Sequence, residues 1–187
     1  MDTTTRPDAH PATTHADTDR SGSRPPRSWV GTDIGLLIIR VAVGVVVGAH
    51  GLQKVFGWFD GPGIDGFAGA LGDMGFTRGT TFLAWVTALS EVGGGLLLAL
   101  GLLTPVGAAA VLGVGLNIVY LQRSDPFIGG WELPALFSAV ALGLLFSGPG
   151  RIAVDGVAPW SRRPVPWGVA GLVLALGTSA VVLLGFR

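Results

Sequence analysis

Residues 34–61 read IGLLIIRVAVGVVVGAHGLQKVFGWFDG. The stretch opens as an apolar helix long enough to enter a bilayer, yet Arg40 lies inside it. It passes without a break into a polar, aromatic edge holding His50, Lys54, Phe56, Trp58 and Phe59. A charge within an apolar span costs at least a few kcal/mol and needs a partner inside the protein. Glu91 is the evident candidate elsewhere in the chain. The sequence therefore predicts an all-α bundle of transmembrane helices, assembled around an Arg40–Glu91 pair.

Composition agrees with that class. Only 13% of the 187 residues are charged, about half the share of a soluble globular chain. The mean hydropathy is +0.60. The formal net charge is zero, which argues against nucleic acid as a partner, since that calls for a basic face. There is no cysteine, so disulfide, thiol-relay, iron–sulfur and thiolate-zinc chemistry within the chain are excluded.

Outward from the opening stretch, residues 1–30 are rich in Thr, Asp, Pro, Ser and Arg. They cannot bury enough apolar surface to offset their ordering entropy, so a disordered cytoplasmic tail is expected, with His10 and His15 solvated and no metal bound. Although a basic tail precedes the first span, Arg40 interrupts its apolar region and no convincing cleavage site follows, so it reads as a retained helix and not a signal peptide. Residues 81–103 form a second span with Glu91 near its centre. Thr104 reads as an N-cap and Pro105 as the first helical residue of a third helix, reaching about residue 120. So short a turn makes the second and third helices antiparallel neighbours. A fourth span covers about 127–146, and a proline-rich linker (157–166) leads to a fifth at 167–187. Each span approaches the roughly 20 residues that a bilayer requires.

Charge sets orientation. With the N-terminus inside, the cytoplasmic face holds Arg6, Arg20, Arg24, Arg27, Arg151, Arg162 and Arg163, against Lys54, Arg78, Arg123 and Arg187 outside. This bias favours a cytoplasmic N-terminus. Small residues at Gly44-x-x-x-Gly48, Gly93 to Gly95 and Gly171-x-x-x-Ala175-x-x-x-Ser179 let helix backbones approach closely, within the chain or between copies in an oligomer.

Helical rise converts positions into depth. From the cytoplasmic side Arg40 lies about 10 Å in, Glu91 about 15 to 18 Å and Asn117 near 20 Å, while His50, Lys54 and Glu132 approach the outer boundary. These six residues read as one polar seam. Each also has a plainer reading: a buried structural ion pair for Arg40 and Glu91, an interfacial hydrogen bond for His50, interhelical glue for Asn117. Trp58, Trp131 and Trp167 read as anchors of the interfacial belt.

The run HGLQKVFGWFDGPGIDGF, followed by AWVTALSEVGGGLLLALGLLTPVGA and by FSGPGRIAVDG, resembles the DoxX family of small four-helix membrane proteins. The likeness covers residues 34–156, leaving the tail and the fifth span as departures. It implies Arg40, His50, Gly51, Lys54, Glu91, Gly94 and Gly95 as signature positions. It also implies membrane redox work, since members include a subunit of thiosulfate:quinone oxidoreductase and part of a mycobacterial oxidoreductase complex. Two functions follow as expectations. One is a redox-associated subunit of the bacterial plasma (inner) membrane, with a quinone-like molecule held non-covalently in the bundle and electrons supplied by a soluble or membrane partner. The other is a non-catalytic scaffold whose polar seam is structural. A carrier for a small molecule is less well supported, because internal repeats are not evident.

Overall fold

The computed structural model describes Met1 and residues 28–187. The expected disorder of the tail, with His10 and His15, falls almost wholly outside those residues. Among the described residues there is no strand. The elements are α1 (Ser28–Phe56), α2 (Gly63–Asp73), α3 (Thr80–Leu100), α4 (Thr104–Leu121), α5 (Glu132–Ser147), α6 (Pro159–Arg162) and α7 (Pro164–Gly185). Five segments are long and apolar enough to cross a membrane: α1, α3, α4, α5 with its preceding turn, and α7. The five expected spans are therefore present. α1 is longer than its apolar core suggests, and the region expected as a linker carries the helical turn α6.

The sequence reading missed α2. Its Ile64, Phe67, Ala68 and Leu71 recur at i, i+3, i+4, i+7, and Ala68 and Leu71 are buried. They pack with Phe76, Leu83, Ala84 and the Phe186 end of α7 in a small core at one end of the bundle. A larger core lies mid-bundle, where Leu98, Ala108, Leu112, Ala141, Leu145 and Ala175 meet.

Glycine sets the helix spacing. A Cβ on Gly44 would lie 2.5 Å from the Gly95 carbonyl oxygen, and one on Gly51 would lie 2.7 Å from the Val92 nitrogen. α1 and α3 therefore touch backbone to backbone. Gly94, one residue from Gly95, turns to α4, where a Cβ would sit 3.2 Å from the Gly107 oxygen. The adjacent glycines thus let α3 pack closely on two neighbours at once. On α7, the predicted stripe of Gly171, Ala175 and Ser179 is buried within the chain, and the Ser179 hydroxyl donates to the Gly113 carbonyl at 3.0 Å. Gly44, Gly94, Gly95 and the α7 stripe thus pack within the chain, whereas a Cβ on Gly93 would meet nothing within 4 Å.

The α3–α4 turn corrects one expectation. Leu103, with φ 45°, is the residue before the helix, and Thr104 is its first member. The Thr104 side chain does not cap α4; its hydroxyl and its backbone N–H both turn to Asp155.

Candidate functional site

One face of α1 carries Arg40, Gly44, Val47, Gly51 and Lys54, at helical spacing. The facing stripe of α3 carries Ala84, Ala88, Glu91, Gly95 and Leu98. The glycine contacts fix the register between them. A Cβ on Gly101 would collide with the Arg40 guanidinium, so Arg40 lies opposite Gly101. That is ten residues, or about 15 Å, along α3 from Glu91. Lys54 lies only about one turn from Glu91.

Side-chain direction completes the selection. Helical side chains lean toward their own N-terminus. α1 and α3 are antiparallel, so Arg40 leans away from Glu91 while Lys54 and Glu91 lean toward each other. The Lys54 Nζ donates to the Glu91 Oε2 at 2.6 Å, with the two side chains 14% and 4% exposed. The expected Arg40–Glu91 pair is therefore replaced by Lys54–Glu91.

Arg40 closes a separate knot at the opposite end. It is fully buried and donates to the carbonyls of Ile152 at 2.5 Å and Leu98 at 3.3 Å. Asp155, also buried, supplies the opposing charge. Its Oδ2 accepts from the Thr104 N–H at 2.9 Å, the Thr104 hydroxyl at 3.3 Å and the Trp160 indole at 2.8 Å. The knot ties α1, the α3–α4 turn and the 148–160 segment together. Asp155 was legible in the GPGRIAVD run, but depth along a span carried no hint of it.

The other seam residues divide. His50 stays near the pair: its Nδ1 lies 3.0 Å from the Gln53 Oε1, and its ring meets Phe137 edge-on. Lys54 also sits 5.1 Å from the centre of the Phe67 ring, so α2 roofs it. Glu132 does not join. Its two oxygens accept from the N–H groups of Gly129 and Gly130, each at 2.9 Å, in the turn before α5. That carboxylate satisfies donors freed by the kink at Gly129 (φ 83°). The Oδ1 of Asn117 is buried and has no hydrogen-bond partner within the protein.

Two cavities flank the pair. One of about 270 Å³ lies between α1, α3, α4 and α5, lined by Val47, His50, Glu91, Ile118 and Phe137. The second, about 190 Å³, holds Lys54, Phe67, Leu83 and Asn117. Val114, Ile118 and Gln122 belong to both, so the ion pair and Gln122 stand at their partition. The Gln122 Oε1 is buried without a partner. Such an atom costs about 1–3 kcal/mol unless a ligand or water meets it. Gln122 was not singled out from the sequence, because an amide at the end of an apolar helix resembles an ordinary interfacial residue. His50 also borders a surface groove with Gln53 and Phe59, on the outward side of α1.

The arrangement offers an ammonium donor, a carboxylate acceptor, an imidazole and an uncommitted amide around apolar space. Fold and site together define a multi-pass helical membrane protein with a buried cation–carboxylate pair beside an apolar cavity. The DoxX family profile matches residues 35–123, which run from α1 to the end of α4. The chain belongs to the DoxX family. It is 31% identical over 124 residues to a Bacillus subtilis (strain 168) protein described as "Putative oxidoreductase CatD". That similarity covers 66% of this chain and 86% of the relative. No solved structure matches.

Proposed function

We propose that this protein is the membrane subunit of a redox-associated assembly in the bacterial inner membrane, with its N-terminus cytoplasmic, and that it holds a quinone-like molecule beside Lys54 and Glu91. The observation that carries this reading is the buried Lys54–Glu91 pair at the wall of an apolar cavity, next to a Gln122 oxygen without a partner. A quinone carbonyl accepts from an ammonium, and a quinol hydroxyl donates to a carboxylate or an amide oxygen. Apolar walls with a few convergent polar groups suit such a molecule. The relative described as an oxidoreductase points the same way.

Reduction of a quinone takes up two electrons and two protons, and quinol oxidation releases them. The chain supplies positions for protons. Glu91 accepts or gives one at the cavity wall, and His50, bordering both that cavity and the outer groove, passes it outward. The electrons belong to a partner, a dehydrogenase or a sulfur-oxidising enzyme docked on the membrane protein. Binding of a quinone head to the purified protein and to Glu91→Gln tests the reading. Saturable binding by wild type that weakens in the variant supports it, and equal, negligible binding by both rejects it.

A second reading rests on the same pair. Lys54–Glu91 bridges α1 to α3 beside their glycine contacts, so it suits a scaffold that only holds helices together. On that reading Glu91→Gln lowers the amount of folded protein, and the surviving fraction keeps full partner binding.

A further inference from the structure

A third cavity, about 230 Å³, lies between α3, α4 and α7. Its outer rim includes Val86, Val106 and Leu174, each well exposed on a membrane-spanning helix, so it opens toward lipid. Its inner wall is shared with the Lys54 cavity through Leu83, Thr87, Val114, Asn117 and Val182. The three spaces thus form a chain from the lipid face to the ion pair, and Val114 lines all of them. The unpartnered Asn117 oxygen stands where the second meets the third.

From this succession we infer that α7 completes a lateral portal, and that the ligand held at Lys54 and Glu91 carries a long apolar tail lying in the α3–α4–α7 cavity. The inference rests on the reading of the inner cavity as a quinone-like head site. α7, which supplies Leu174, Thr178 and Val182 to this cavity, lies beyond the residues that the DoxX profile matches. Polarity falls along the path as an amphiphile requires: ammonium, carboxylate and amide at the inner end, Val86, Val106 and Leu174 at the outer. A tail that moves from lipid into this cavity gains little hydrophobic free energy, because lipid is as apolar as the wall. The portal therefore acts by admission, and obstructing it should exclude a tailed molecule more than a bare head.

The experiment measures binding of two probes to the full chain in detergent: a naphthoquinone bearing a polyisoprenoid tail, and its tail-less methylnaphthoquinone head. Thr178 sits on α7 in the cavity wall and is exposed. Thr178→Trp should weaken the tailed probe about tenfold or more while leaving the head within about twofold. Leu176→Trp, on the exposed side of the same helix, should change neither. If Thr178→Trp binds both probes like wild type, the tail does not pass this way and the inference falls while the head site stands. Equal loss of both probes from a folded variant also overturns it, since the cavity would then serve the head. Should wild type bind neither probe, the reading of the inner site fails first and the inference with it.

Discussion

Replacing Lys54 with methionine keeps the aliphatic stem on α1 and removes the ammonium. Glu91 is only 3% exposed, so its carboxylate would remain buried without a cation. Removing one partner of a buried pair costs about 3–5 kcal/mol in soluble proteins. Polar contacts between membrane helices measure about 1–2 kcal/mol in peptides, and the carboxylate can also take up a proton. The expected loss for Lys54→Met is therefore about 2–3 kcal/mol. For a chain of this size that lowers the melting temperature of the detergent-solubilised protein by roughly 5–10 °C. Adding Glu91→Leu removes the orphaned charge and should recover most of the loss, because an apolar pair often matches a buried ion pair. The four melting curves close a double-mutant cycle. A single variant as stable as wild type, or a double variant whose loss equals the sum of the singles, would refute the pairing. Arg40→Met combined with Glu91→Leu should instead add within about 0.5 kcal/mol, since those two groups belong to different knots.

Other consequences are equally direct. Gly95→Ala should destabilise by about 1–3 kcal/mol, because its methyl would meet the Gly44 carbonyl at 2.5 Å, whereas Gly93→Ala meets nothing within 4 Å and should be near neutral; thermal melts of the two distinguish them. Asp155→Ala should cost about 3 kcal/mol, since it strips the buried Arg40 of its acid and the Thr104 and Trp160 donors of their acceptor. Gln122→Leu should leave stability unchanged or raised, because it removes a buried oxygen with no partner, yet weaken quinone-head binding about tenfold in an equilibrium titration. With no native cysteine, single cysteines at Ile128 and Val157 report topology. A membrane-impermeant maleimide should label the first on intact cells and the second only after permeabilisation.

What was legible in the chain was the part fixed by length and hydropathy. Five apolar spans of about bilayer length allowed little besides a membrane bundle. Gly51, Gly94 and Gly95 could be marked as packing positions, although which neighbour each would face could not. Pairing of charges was harder. Depth counted along each helix put Arg40 near Glu91, but a pair forms by where side chains lean, and antiparallel helices lean Lys54 and Glu91 together while turning Arg40 away. Asp155 could not be matched to Arg40, because it lies in a segment between spans, where depth carries no information. Glu132 looked like part of the seam because its position matched the outer boundary; the positive φ at Gly129, which creates the donors it satisfies, cannot be counted from residue spacing. α2 did show its helical period, but its short, glycine-rich sequence had been absorbed into the preceding motif.

Photoaffinity labelling with an azidoquinone in native membranes, followed by mapping of the modified residues, bears most directly on the ligand site. Labels should fall on inner-cavity residues such as Ile118 and Phe137 and be displaced by excess unlabelled quinone. Label confined to outward positions such as Val173 and Leu176, undisplaced by competitor, would contradict a quinone-like molecule at the Lys54–Glu91 pair.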